Sequence, residues 1–247
     1  MTIQVDREQI LQDTYNAFNS TPQQKEAVSK LEEKVGRIPE AAYKALYTSP
    51  LVPTGLKIDV ELFNYEIRRY DNWFEQWGHT MDYLPRKAIA LVNEDGYIKT
   101  DDPVNKSLYE YNVDNPSNPK FDCDFRKATE ILDLPSLEPL GVLDPYWCRS
   151  NVLKWEEGGK FVPHIDCTID TVHWLRLWGT TTNNLRLRFD INGDGELTEH
   201  EDVECGRIYL IDTSLIHDAR CIKGTSHQFF LAVLPKAYHL LTDLVLR

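Results

Sequence analysis

In the stretch FVPHIDCTIDTVHWLRLW, residues 161–178, His164 stands two positions before Asp166. On an extended strand, residues two apart point to the same face. One neutral imidazole and one carboxylate on a shared face are a natural pair for a divalent metal ion. A third ligand must come from elsewhere in the chain. The stretch IYLIDTSLIHDARC, residues 208–221, offers His217 at the end of an apolar strand. Two histidines and one carboxylate make the facial triad that holds Fe(II), with coordination positions left open for a co-substrate and oxygen.

A second cluster of oxygen ligands lies between these two stretches, in FDINGDGELTEHEDV, residues 189–203. Asp190, Asn192, Asp194, Gly195 and Glu201 match the D-x-[DN]-x-[DN]-G-x5-E calcium loop. Asp190, Asn192, Asp194, the Glu196 carbonyl and Glu201 would be its oxygen donors. A calcium sensor needs a helix on each side of such a loop. Here a strand enters and a strand leaves, so the loop reads as a hairpin connection. Two readings stay open. Either it binds Ca2+ and stiffens a surface loop, or it is an acidic turn that uses Asp, Asn and Gly for their backbone preferences.

The elements that must position these residues fall into two textures. The first eighty residues read as helical. Asp6–Phe18 carries apolar residues at helical spacing. Ser20–Gly36 has a Thr-Pro start and a glycine stop, Ile38–Pro50 repeats the proline-led pattern, and Asp59–His79 is a fourth amphipathic run. The Asn-, Pro- and Asp-rich stretch 104–124 reads as a long loop. From about Trp147 the pattern turns to short strand-like segments separated by turn residues, which points to a barrel or sandwich. In Leu185–Phe189 the strict alternation puts Arg186 and Arg188 on one face. A strand carrying H-x-D, about fifty residues of strands and turns, and then a histidine at a strand end is the order that a closed double-stranded β-helix requires. The expected fold is therefore α+β. A helical segment over 1–80 packs on a double-stranded β-helix, a cupin-like jelly roll, over 81–247.

Composition narrows the partners. The net charge of −12 would repel a polyanion, so nucleic acid is excluded as a first partner. No apolar run reaches the length of a membrane span, and the N-terminus lacks the pattern of a secretory signal. The five cysteines form no C-x-x-C pair, which suggests reduced thiols and a cytoplasmic protein.

The stretches NVLKWEEGGKFVPHIDCTIDTVHWLRLW and CGRIYLIDTSLIHDARCIKGTSHQFFLAVLP resemble the core of the Fe(II)/2-oxoglutarate-dependent oxygenases. The likeness is greatest to the aspartyl/asparaginyl β-hydroxylase-like group, which includes free-proline hydroxylases, and it covers about Trp147 to Pro235. The resemblance implies iron held by His164, Asp166 and His217, and 2-oxoglutarate bound at the iron. It implies that oxygen converts 2-oxoglutarate to succinate and CO2 while a substrate C–H bond is hydroxylated. The carboxylate of Asp166 favours hydroxylation over halogenation, because halogenating relatives replace it with a small residue. The family commonly sets an arginine about ten residues after the distal histidine to hold the far carboxylate of 2-oxoglutarate. Here that position is His227. Arg176 matches a strand arginine of the same group and is the favoured cation, with His227 as helper and Arg186 or Arg188 as substitutes. Trp155, Trp174 and Trp178 either wall a pocket or belong to the core. The expected substrate is a small molecule or an amino-acid or peptide side chain. Two other readings remain open: a cupin-type metal enzyme that does not use 2-oxoglutarate, and a calcium-binding structural or interaction module.

Overall fold

The computed structural model describes residues 22–77, 86–105, 107–118, 120–166, 174–200 and 203–242. The helix expected at Asp6–Phe18 lies outside them. The two proline-led runs form helices at Pro22–Val35 and Glu40–Thr48. Gly36 stops the first at φ 89°, a left-handed conformation that costs glycine nothing. The fourth run becomes the helix Val60–Glu66, and its chain tightens into a 3-10 helix over Ile67–Trp73. Asp59 caps it by accepting the Leu62 N–H.

Two expectations fail on local grounds. Leu51–Lys57, inside the stretch expected to be helical, is a strand, β1. Pro53 and Gly55 oppose a helix there, and Val52 and Thr54 are β-branched. The stretch 104–124, expected to be a loop, contains the helix Leu108–Asp114. Its start is a capping box in which Ser107 and Glu110 satisfy each other's backbone N–H groups. That S-x-x-E signature is written in the sequence.

The remaining strands are β2 (Glu75–Gln76), β3 (Arg86–Asn93), β4 (Lys127–Ala128), β5 (Ser150–Trp155), β6 (Lys160–His164), β7 (Leu175–Thr180), β8 (Leu185–Phe189), β9 (Thr198–Glu199), β10 (Arg207–Ile211), β11 (His217–Cys221) and β12 (Ser226–Val233). The larger sheet runs β1-β10-β7-β12-β5-β3-β2, with β4 also on β3, and the smaller runs β6-β11-β8-β9. From β5 to β12 the chain passes back and forth between the two sheets. This is a double-stranded β-helix, the jelly-roll core of cupin-like proteins. Strands β1 and β2, from the first eighty residues, extend the same larger sheet as β3.

The larger sheet is buried on both faces, and the parity of its strands sorts the side chains. Leu175, Leu177, Phe229, Leu231 and Val233 face outward and pack on Phe63, Ile67, Leu137 and Leu140. Leu153, Trp155, Trp178 and Tyr209 face inward and meet Leu185, Leu187 and Phe189 of the smaller sheet. Each such buried side chain contributes about 1.5–3 kcal/mol. Among the described residues, no helix is long and apolar enough to cross a membrane. Cys123, Cys148, Cys205 and Cys221 are free thiols; Cys167 lies outside the described residues.

Candidate metal centre

Strand pairing brings the two histidines together. β11 runs antiparallel to β6 with His217 opposite His164, and their ring centroids lie 4.3 Å apart. Asp166 follows just past the end of β6, where its backbone N–H donates to the Thr213 carbonyl at 3.1 Å. The Asp166 carboxylate then sits 3.3 Å from His164 Nε2 and 4.0 Å from His217 Nε2. One ligand atom from each of the three lies within 4.8 Å of the others. Among the described residues this is the one group of three or more His, Cys, Asp or Glu side chains that converges in this way.

The remaining imidazole nitrogens are already committed. His164 Nδ1–H donates to the Val162 carbonyl at 2.9 Å, and His217 Nδ1–H donates to the Leu215 carbonyl at 2.9 Å. These bonds fix the tautomer and turn both Nε2 lone pairs toward the Asp166 carboxylate, the arrangement a metal-ligating histidine adopts. Burial holds the His217 pKa below its usual value, which keeps this imidazole neutral and able to ligate. For Asp166, burial pushes upward, but its polar neighbours, the two imidazoles and Arg176, outweigh it and hold the carboxylate ionised, with a pKa of about 2. The donor set of two imidazoles and one carboxylate fits Fe(II).

The triad lines a cavity of about 180 Å³ between the two sheets. Its apolar wall includes Leu153, Trp155, Phe161, Trp178 and Phe230, and its cations are Arg86, Arg149 and Arg176. Trp155 and Trp178 thus wall the pocket, whereas Trp174 packs with Leu31 and Val35. Arg149 and Arg176 share one buried carboxylate. Arg149 Nε donates to Asp122 Oδ1 at 2.7 Å, and Arg176 Nη2 donates to Asp122 Oδ2 at 2.7 Å. Arg176 therefore reaches the cavity, as expected, with its guanidinium engaged on Asp122.

The other expected cations do not reach it. β12 puts His227 on the outer face, edge-on to Phe63 at 5.6 Å, and gives the inward position to Gln228. Gln228 Oε1 accepts the Trp155 Nε1–H at 2.9 Å. Arg186 and Arg188 lie on the outer face of β8, where Glu199 and Asp218 bind them. The sequence pattern also left Arg86, Asp122 and Arg149 unremarked. The signal for Arg86 was an arginine in register with Ala88 and Ala90, on the small-residue face of an apolar strand. Asp122 had none, because it lies in a stretch rich in Asp and Asn.

His227 gives a pH signature separate from the metal. Burial lowers its pKa to about 4, with Lys154 lowering it further and Asp71 opposing. The folded protein therefore favours the neutral ring, while the unfolded chain takes up a proton below about pH 6.5. Stability should be intact above that pH, fall as pH drops through 6.5, and level off below about 4, a loss of about 3 kcal/mol. Urea unfolding across this range, compared with His227→Leu, should show a flatter profile for the variant. Equal slopes would mean that His227 is not the group responsible.

The acidic loop closes on itself. Asp190 Oδ1 accepts the Asp194 N–H at 3.1 Å and Oδ2 accepts the Gly195 N–H at 3.0 Å. Asp190 is buried, Asn192 and Asp194 are exposed, and Glu196 is exposed. Glu201 lies outside the described residues. The hairpin is tighter than the Asp190–Glu201 run suggests: β9, Thr198–Glu199, lies inside that run and pairs with β8, while the next strand, β10, belongs to the other sheet.

No family model and no curated protein matches this chain. A prolyl-4-hydroxylase from Pseudomonas putida is similar over 78% of this chain and 97% of its own, at 12% identity and a TM-score of 0.43. An oxalate oxidase in complex with the substrate analogue glycolate is similar over 42% of this chain, at 16% identity and a TM-score of 0.28, and the match spans about half, 48%, of the oxidase chain. An RmlC-like cupin from Desulfovibrio desulfuricans is similar over 35% of this chain and 71% of its own, at 11% identity and a TM-score of 0.25.

Proposed function

We propose that this protein is a non-haem Fe(II)- and 2-oxoglutarate-dependent oxygenase that hydroxylates a C–H bond of a small molecule or of an amino-acid or peptide side chain. The observation that carries this reading is the triad itself. Two Nε2 atoms, each freed for a metal by a carbonyl on the other ring nitrogen, converge on the Asp166 carboxylate at the wall of a cavity. Three protein ligands on one side leave the rest of an octahedral ion open. When bound, the iron would supply oxygen activation, with O2 and 2-oxoglutarate consumed and succinate, CO2 and the hydroxylated product released.

The chain's own residues would do the rest. His164, Asp166 and His217 would hold the ion. The Val162 and Leu215 carbonyls would keep the two imidazoles in their ligating tautomer. The apolar wall of Leu153, Trp155, Trp178 and Phe230 would exclude water from the reacting centre. The cavity arginines would attract an anionic co-substrate.

One observation favours a second reading, a cupin-type metal enzyme that does not use 2-oxoglutarate. The position ten residues after His217 is His227, and its ring is turned away from the cavity. The deciding experiment supplies Fe(II), 2-oxoglutarate and O2 and assays succinate. Succinate formed in proportion to oxygen consumed is the expected result. Tight metal binding with no loss of 2-oxoglutarate would establish the second reading instead.

A further inference from the structure

Arg86 opens β3 opposite Trp155 of β5 and is 4% exposed. Its guanidinium stands over the Phe161 ring at 3.8 Å and lies 5.5 Å and 5.4 Å from the Trp77 and Trp155 rings. Its Nε has no hydrogen-bond partner among the described residues. Among the described residues no carboxylate forms an ion pair with it, whereas Arg149 and Arg176 are both held by Asp122. Burial alone pulls its pKa down to about 9, with only the more distant charges of Asp166 and Glu110 in support. A buried cation without a partner is costly, and aromatic faces offset only part of that cost. Arg86 also lines the cavity that holds the triad.

We propose that Arg86 is the anchor for the far carboxylate of the bound 2-oxo acid, taking the task that neither the position ten residues after His217 nor Arg176 performs here. This rests on the oxygenase reading. Phe161 sets the scale. Its ring centroid is 3.8 Å from the Arg86 Cζ and 4.1 Å from the His164 ring, so a single aromatic ring separates the guanidinium from a metal ligand. An acid that chelates a metal through its 1-carboxylate and 2-oxo oxygens carries its second carboxylate two methylenes further, a comparable span. A carboxylate there would give the planar guanidinium a fork of acceptors within an aromatic box. The box also disfavours a neutral ligand end, because that would leave the cation uncompensated.

The test is calorimetric binding to Mn(II)-loaded protein, with no turnover. 2-Oxoglutarate is compared with 2-oxopentanoate, which has the same chain length and lacks the far carboxylate. Wild type should prefer 2-oxoglutarate by on the order of 100-fold. Arg86→Gln should lose that preference, bind the two acids alike, and keep its Mn(II) affinity. Arg86→Lys should restore part of it. A preference that persists in Arg86→Gln overturns the assignment while leaving the oxygenase reading intact. No preference in wild type overturns the 2-oxoglutarate reading and the assignment with it. Arg86→Met separates ligand binding from a structural role: its ligand-free form should melt no lower than wild type. A fall of more than about 5 °C would make Arg86 a structural post and overturn the proposal.

Discussion

His217→Ala should lose tight Fe(II) binding, and metal-dependent turnover with it. His217 is one of the three side chains that converge across the β6–β11 pair, and among the described residues no other His, Cys, Asp or Glu joins them. Losing even an outer hydrogen-bond partner of a metal ligand typically costs 10- to 100-fold in affinity, so losing the ligand itself should cost at least about 100-fold. Two ligands would remain, His164 and Asp166, on a strand end that is otherwise unchanged. The matched control is Asp218→Asn. Asp218 is the next residue on β11, but it faces the other way, onto Arg188. That variant should bind Fe(II) as wild type does. Titration of Fe(II) into both variants without oxygen reads the difference, and tight stoichiometric binding by His217→Ala would remove His217 from the site.

The second large effect concerns Asp122. Asp122, Arg149 and Arg176 are 1%, 5% and 6% exposed, and the one carboxylate serves both guanidiniums. The Asp122 carbonyl also accepts the Arg149 N–H at 3.0 Å. Asp122→Ala would leave two buried cations with their shared counter-charge gone. Breaking a buried pair by removing one partner costs about 3–5 kcal/mol, and here the removed partner serves two. Urea unfolding should show a loss at the top of that range. Asp122→Asn should lose nearly as much, because an amide keeps the shape and not the charge. A change below about 1 kcal/mol would mean that the network holds the wall by packing alone.

The barrel and its triad were legible in the sequence because their signals are local. The H-x-D spacing keeps His164 and Asp166 close, although Asp166 lies past the end of β6 and not on the strand whose parity was expected to align the two, and the alternation of Leu185–Phe189 identifies its own outer face. β1 was hidden because a single strand with a proline and a glycine acquires its identity from β10, roughly 150 residues later. The pairing of the cavity arginines was hidden for a similar reason. Arg176 and Arg86 both project into the cavity, yet only the fold brings Asp122 onto the first and leaves the second among aromatic rings. His227 was lost by one position of strand register, which moves a side chain to the opposite face.

If the triad forms a metal centre at which 2-oxoglutarate docks, the metal must strengthen the binding of that acid. The most direct test is the binding of 2-oxoglutarate, without oxygen, to the protein before and after loading with one equivalent of Fe(II). One molecule should bind per chain, with an affinity at least about tenfold higher with the metal, since chelation adds to the contact with the cavity arginines. His164→Ala should erase the gain. Equal affinity with and without Fe(II), or a gain that survives the loss of His164, would contradict it.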